Sequence, residues 1–310
     1  MVGATYLTKA CLASPRTPVA AVENVVQSRP MAGPTLRHKR NRRFDCAATL
    51  AVTLLALASS RDARGADAHS TPTATPSELV LFEASSLKDV FARLAQRFEQ
   101  ENAGVKVVAN AAGSHELRAQ IEHGAAVDVF ASADRKHMDA LSAQGLVASS
   151  SIFTCNEPVL IVRTAMATTI KTLADLPHAE RIVIGTPGVP IGAYTLQILQ
   201  KAAGKLGADF PDRVQAKVAS RELNVRQVLS KVVLGEADAG VVYRSDALAA
   251  KGKVQIITIP PDLNVTAEYP IAAMKSAAHP DIARRWIDLV KSPVGTAALR
   301  EAGFVACPHR

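Results

Sequence analysis

Ser86 and Ser114 each stand where an apolar strand pattern gives way to an amphipathic helix pattern, and Val127-Asp-Val-Phe-Ala-Ser-Ala-Asp134 follows shortly after. A serine at the mouth of a helix offers its hydroxyl beside backbone N–H groups that lack an intrahelical acceptor, at the positive end of the helix dipole. Such an end holds an oxyanion without a formal cation, and two that meet make a pocket. The chemistry is anion capture. Taken singly, each serine reads equally well as an ordinary cap: Leu87-Lys-Asp89 gives Ser86 an approximate capping box, and Ser114 follows Ala111-Ala-Gly113. Their placement on adjacent strand-to-helix turns favours a site, because ligands of open parallel sheets bind beyond the carboxyl ends of the strands. Catalysis lacks its signatures. The sequence contains no G-x-S-x-G, HExxH, P-loop or paired CxxC, and His115-Glu116 has no second His at the required spacing.

These turns need a scaffold of alternating strands and helices. A strand is expected over Glu78 to Glu83, and a helix over Leu87 to Glu101, where Leu87, Val90, Phe91, Leu94 and Phe98 recur at helical spacing. Asn102-Ala-Gly104 stops it. Strands at Val105 to Val108 and Val127 to Ala131, with helices at Ser114 to His123 and Lys136 to Gln144, complete a βαβαβ rhythm that implies a parallel sheet. A second group follows: strands at Pro158 to Val162, Arg181 to Gly185 and Ala239 to Tyr243, with helices near Ile191 to Ala203 and Asn224 to Leu234. Strands at Val254 to Ile259 and Glu268 to Met274 and a helix at Asp281 to Val290 lead back. The expected fold class is α/β, with two interwoven lobes and no long linker: residues 78–155 and 268–310 as lobe 1, residues 156–267 as lobe 2.

Residues 1–68 read as an export signal. Arg37-His-Lys-Arg-Asn-Arg-Arg43 precedes an uncharged run centred on Leu54, Leu55 and Leu57, and Ala66-Asp-Ala68 supplies an A-x-A cleavage pattern. Met31 is a better initiator than Met1, and Arg42-Arg43-Phe44 leaves both the general and the twin-arginine routes open. A lipid anchor at Cys46 is discounted, because Arg43-Phe-Asp45 stands where apolar residues are needed. Residues 69–77, rich in Thr, Pro and Ala, form a flexible leader. The first 68 residues carry 10 of the 36 basic and 4 of the 28 acidic side chains, so the remainder holds 26 against 24, a net +2. That balance argues against a nucleic-acid surface. Of four cysteines, Cys155 and Cys307 remain after the signal, as one disulfide in an oxidising compartment or as two buried thiols.

With these residues in place, the chain from Glu78 to Phe304 resembles the periplasmic molybdate-binding proteins of ABC transporters, within the type II solute-binding fold. The resemblance rests on Phe82-Glu-Ala-Ser-Ser-Leu87, Gly113-Ser114, Leu117-Arg-Ala-Gln-Ile-Glu-His-Gly124, the Val127 to Asp134 block and Gln144-Gly-Leu146. Farther on, Gly185-Thr-Pro, Val189-Pro-Ile-Gly-Ala-Tyr194, Asn224-Val-Arg226, Gly240-Val-Val-Tyr-Arg-Ser-Asp246, Glu268-Tyr-Pro-Ile271 and Gly303-Phe304 match as well. The resemblance implies two sheet-and-helix lobes with mostly parallel strands, a ligand cleft between them and hinge crossovers near Cys155 and Glu268. It implies ligand contacts from Ser86 and Ser114 through hydroxyl and amide, from Ile191 and Val225 through backbone N–H, and from Tyr243 through its phenol. Read without it, Ile191 and Val225 are core side chains and Tyr243 a half-buried strand aromatic. It further implies a monomeric periplasmic receptor for molybdate or tungstate, with molybdenum held only through its oxygens, no cofactor, and a permease and an ATPase as partners.

Three residues depart from the resembled pattern. Glu83 would repel a dianion if it faced the cleft, and strand alternation can equally turn it outward. His115 follows Ser114, either as an exposed helix-start residue or as a cation that strengthens binding below its pKa. Ile191 is bulky, which matters little if only its N–H is used. Two other classes compete: a receptor of the same fold for another oxyanion or metal complex, and the effector lobe of a transcription regulator, which would need a DNA-binding domain that is not seen.

Overall fold

Each lobe is built on a five-stranded sheet in which the strand that arrives from the other lobe runs against its neighbours. A computed structural model describes residues 77–308. The chain begins with β1 (Ser77–Ala84), α1 (Lys88–Glu101), β2 (Val105–Ala112), α2 (Ser114–Glu122), β3 (Val129–Ala131), α3 (Arg135–Ala143) and β4 (Val147–Asn156). It crosses at Glu157 into β5 (Pro158–Arg163), β6 (Ile182–Gly185), α4 (Pro190–Leu206), α5 (Phe210–Gln215), β7 (Val218–Glu222), α6 (Val225–Val233), β8 (Ala239–Tyr243), α7 (Arg244–Ala249) and β9 (Val254–Thr258). Residues 259–266 return it to β10 (Ala267–Met274), α8 (Pro280–Lys291) and α9 (Pro293–Glu301).

The strand orders are β2-β1-β3-β10-β4 and β7-β6-β8-β5-β9. Only β10 in the first sheet and β5 in the second are antiparallel to both of their neighbours. All other strands of a sheet therefore run one way and end on the same edge, where the lobes face each other. The sequence placed most of these elements within a residue or two. It missed β4, whose Ala148-Ser-Ser-Ser151 lacks the apolar signature of a strand. The exposed strand β7 and the short helices α5, α7 and α9 were also missed. β2 runs on to Ala112, beyond the Val108 limit, because it pairs with β1 along its whole length.

Periodicity explains the packing of α1: Val90, Phe91, Leu94 and Phe98 lie on one buried face. Phe91 and Phe98 meet the fully buried Trp286 of α8 edge-on, with centroids 5.4 and 5.5 Å apart, which docks the C-terminal helices on the first lobe. Ser292 starts α9, its Oγ accepting the Gly295 N–H at 3.2 Å, with Pro293 at the first helical position. Cys155 and Cys307 form a disulfide with Cα atoms 5.0 Å apart, next to paired backbone bonds between Cys155 and Val305. The export signal and most of the leader lie outside the described residues. The leader's last residue, Ser77, is instead the first of β1, its N–H donating to Gly104 O at 2.8 Å.

Candidate functional site

Four helices begin at the facing edges of the two sheets, and a small pocket lies among their N-termini. All five residues singled out in the sequence line it, together with Ala84, Gly113, Ala133, Asn224 and others, and none of the lining side chains is charged.

Ser86 is not a helix cap. It sits in a 3-10 turn, Ser85–Leu87, that feeds into α1, and Leu87 occupies the cap position with no side-chain bond. The turn satisfies the backbone that a cap would have served, so the Ser86 hydroxyl is released to a partner 2.9 Å away, the hydroxyl of Tyr269. Ser114 is also not the cap but the first residue of α2; the cap is Gly113. Space decides this, since a Cβ on Gly113 would stand 2.4 Å from the Leu223 carbonyl oxygen of the other lobe. Freed from capping, Ser114 Oγ accepts the Ala133 N–H at 3.1 Å, which leaves the hydroxyl hydrogen for the pocket.

Ile191 is the second residue of α4 and Val225 the first of α6. Their side chains are buried in the core, while helix geometry leaves their N–H groups without an intrahelical acceptor. The core reading and the site reading thus concern different atoms of the same residue. Asn224 caps α6 as its type suggests, Oδ1 accepting from Gln227 N–H at 3.1 Å. Gly192 lets α4 start hard against β6, because a Cβ there would lie 2.0 Å from the Thr186 carbonyl oxygen.

Tyr243 ends β8, fully buried rather than half-buried, and its hydroxyl has no protein partner among the described residues. Desolvation holds its pKa well above the usual tyrosine value, so it stays a hydrogen-bond donor. A buried hydroxyl at a pocket wall costs stability unless it makes a hydrogen bond.

Glu83 faces away from this pocket. It lines a separate cavity with Lys88 and Phe91, and burial, partly offset by Lys88, pushes its pKa up to about 8. Alternation along β1 turns Ala84 to the pocket and Glu83 to α1. His115 is half-buried rather than exposed; its ring packs beside Gly113 and near Gly188, outside the pocket lining. Desolvation lowers its pKa, which disfavours the cationic form.

Several site residues escaped sequence reasoning. Tyr269 touches Ser86, and its ring packs against that of Tyr243 with centroids 5.8 Å apart. Arg226 reaches from α6 to Asp89 of α1 at 2.8 Å and to the fully buried Asp246. His137 Nε2 meets the Gly188 carbonyl oxygen across the cleft at 3.0 Å. The motifs Glu268-Tyr-Pro and Asn-Val-Arg226 were visible, but their partners are remote in sequence. Among the described residues no group of three or more His, Cys, Asp or Glu could hold a metal ion. The uncharged lining and the helix N-termini around it suit a small anion held through hydrogen bonds and helix dipoles.

Comparison with known proteins agrees with this chemistry. The family described as bacterial extracellular solute-binding proteins matches residues 79–305. Molybdate-binding protein ModA of Mycobacterium tuberculosis is 36% identical over 235 residues, covering 75% of this chain and 86% of the relative. Its namesake in Escherichia coli is 33% identical over 236 residues, covering 73% and 88%. The solved structure of the Azotobacter vinelandii periplasmic molybdate-binding protein has the same fold, with a TM-score of 0.66 at 24% identity over 74% of this chain and all of that one.

Proposed function

Because this chain belongs to the bacterial extracellular solute-binding proteins, we propose that it is a periplasmic receptor that captures molybdate and delivers it to the permease and ATPase of an ABC importer. The observation that carries this reading is a pocket lined without charge, at convergent helix N-termini, with the unpartnered Tyr243 hydroxyl in its wall. Ser86 and Ser114 contribute hydroxyl and amide, Ile191 and Val225 their N–H groups, and Tyr243 its phenol. A hydrogen bond to a charged group contributes roughly 1.5–3 kcal/mol. Micromolar to nanomolar capture needs about 8–12 kcal/mol, so about five to seven such donors suffice.

The available hydrogens select the ligand. A tetrahedral dianion that only accepts hydrogen bonds satisfies every donor, whereas the O–H of a protonated phosphate needs an acceptor. Tungstate presents the same charge, shape and oxygens and is bound as well. The receptor acts as a binding protein and not as an enzyme, needs no cofactor, and works as an exported monomer. Closure is a hinge motion about Glu157 and residues 259–266.

Calorimetric titration of the purified protein with molybdate, tungstate, sulfate and phosphate tests the proposal. Tight binding of the first two alone is expected. A folded protein silent toward both contradicts it and assigns the pocket to another oxyanion or a metal complex.

A further inference from the structure

Three of the five residues proposed to face the ligand are each followed closely in sequence by a charged residue, and the three charges meet. Asp89 comes three residues after Ser86, Arg226 directly after Val225, and Asp246 three residues after Tyr243. The Arg226 guanidinium places Nη2 2.8 Å from Asp89 Oδ2 and Nε 2.6 Å from Asp246 Oδ1. One cation thereby joins the first turns of α1, α6 and α7. The same turns carry the ligand-facing residues: Ser86 lies in the 3-10 turn that leads into α1, Val225 is the first residue of α6, and Tyr243 holds the cap position before α7.

None of the three charged side chains lines the pocket. Asp89 and Arg226 line a separate cavity, whose wall Ser86 shares. Any effect of Arg226 on the pocket therefore passes through the elements it holds, or through its charge at a distance.

The two arms of the guanidinium differ. Asp246 is fully buried, and its carboxylate needs a countercharge there. Burial pushes its pKa up to about 7, and Arg226 opposes that shift. This arm, within the second lobe, anchors the guanidinium. The other arm crosses to the first lobe, where the Asp89 side chain is 58% exposed, so this pair contributes little to the stability of the fold. What it fixes is a distance. α6 packs against both the 3-10 turn of Ser86 and α7, and a guanidinium held by both carboxylates sets how far Val225 and Tyr243 stand from Ser86. Arginine suits this task because its planar group presents donors in fixed directions, whereas a lysine is a single point charge.

Resting on the receptor reading above, we infer that Arg226 is a positioning residue: from outside the pocket, its guanidinium sets the spacing between the Ser86 hydroxyl of the first lobe and the Val225 N–H and Tyr243 hydroxyl of the second, so that all three reach one oxyanion.

Asp89→Asn tests this because it separates positioning from simple charge attraction by sign. It removes an anion near the site, so attraction alone predicts tighter binding of a dianion, whereas loss of the crossing arm predicts weaker binding. The readout is molybdate affinity by calorimetry, with thermal melting of the ligand-free protein alongside. Affinity is expected to fall about three- to fivefold in Asp89→Asn, with the ligand-free melting temperature unchanged, and to recover in Asp89→Glu, which restores the carboxylate. Arg226→Lys keeps the charge but loosens both arms, and is expected to lose more affinity than Asp89→Asn. Unchanged or tighter binding in Asp89→Asn, or wild-type affinity in Arg226→Lys, overturns the positioning role. So does a loss of affinity in Asp89→Asn that a lowered ligand-free melting temperature accompanies. A folded wild type that binds no molybdate overturns the receptor reading itself, and the role of Arg226 with it.

Discussion

Gly113 of the first lobe and Leu223 of the second approach so closely across the cleft that a Cβ on Gly113 would lie 2.4 Å from the Leu223 carbonyl oxygen. The backbone at Gly113 has φ −65° and ψ 136°, which any residue adopts, so glycine is required there by the opposite lobe and not by its own conformation.

Gly113→Ala should therefore prevent full closure while leaving each lobe folded. The expected result is at least a tenfold loss of oxyanion affinity, about 1.4 kcal/mol, with little change in the melting temperature of the ligand-free protein. Titration and thermal melting of the same preparation check this. Unaltered affinity would mean that the lobes close without this contact.

Glu83 gives stability a pH dependence of defined sign. Its carboxyl has a pKa of about 8 in the fold against an ordinary value of 4.5, with desolvation the largest cause. The folded protein keeps that proton where the unfolded chain loses it, so this contribution is whole below pH 4.5 and is lost as pH rises toward 8, at most about 1.4 kcal/mol per pH unit. Glu83→Gln removes the titration. The stability of the variant relative to wild type should grow steadily from pH 5 to pH 8 in denaturant melts; parallel curves would refute the assignment.

The disulfide ties the end of β4 to the C-terminal segment over a sequence separation of 152 residues. Closing so long a loop restricts the unfolded chain, and loss of such a bond typically costs about 2–5 kcal/mol. Replacing Cys155 and Cys307 by alanine, or reducing the wild type, is expected to lower the denaturant midpoint accordingly. A midpoint indifferent to reductant would contradict this.

His137 makes the stability of the fold sensitive to acid. Its Nε2 meets Gly188 O at 3.0 Å, and its buried Nδ1 has no hydrogen-bond partner among the described residues. Desolvation lowers its pKa, Asp134 and the Gly188 carbonyl oppose that, and Arg118 and Lys136 add to it. A base whose pKa is depressed in the fold contributes stability above its ordinary value of 6.5 and withdraws it as pH falls below that value. Stability in denaturant melts should drop between pH 7.5 and 5.5 in the wild type and less in His137→Gln, whose amide keeps a donor without titrating. Identical pH profiles would exclude His137 as the cause.

Sequence pattern revealed the alternation of strands and helices and four of the helix N-termini, because Ser, Gly, Pro and Asn punctuate these turns for stereochemical reasons. It misplaced the helix caps. Ser114 yields the cap position to Gly113 because Leu223, 110 residues away in the chain, allows no Cβ there. The face taken by Glu83 depends on the parity of β1 relative to a sheet not yet assembled, which alternation by itself does not set. Tyr269 went unassigned because its partner Ser86 lies 183 residues earlier. Contacts of that separation exist only once both crossovers have brought β10 beside β3 and β4.

The most direct test of the central claim is anomalous X-ray scattering at the molybdenum edge from crystals grown with molybdate. The account predicts one strong molybdenum peak in the pocket, its oxygens within hydrogen-bonding distance of Ser86, Ser114, Ile191, Val225 and Tyr243. An empty pocket, or molybdenum bound elsewhere on the protein, would contradict it.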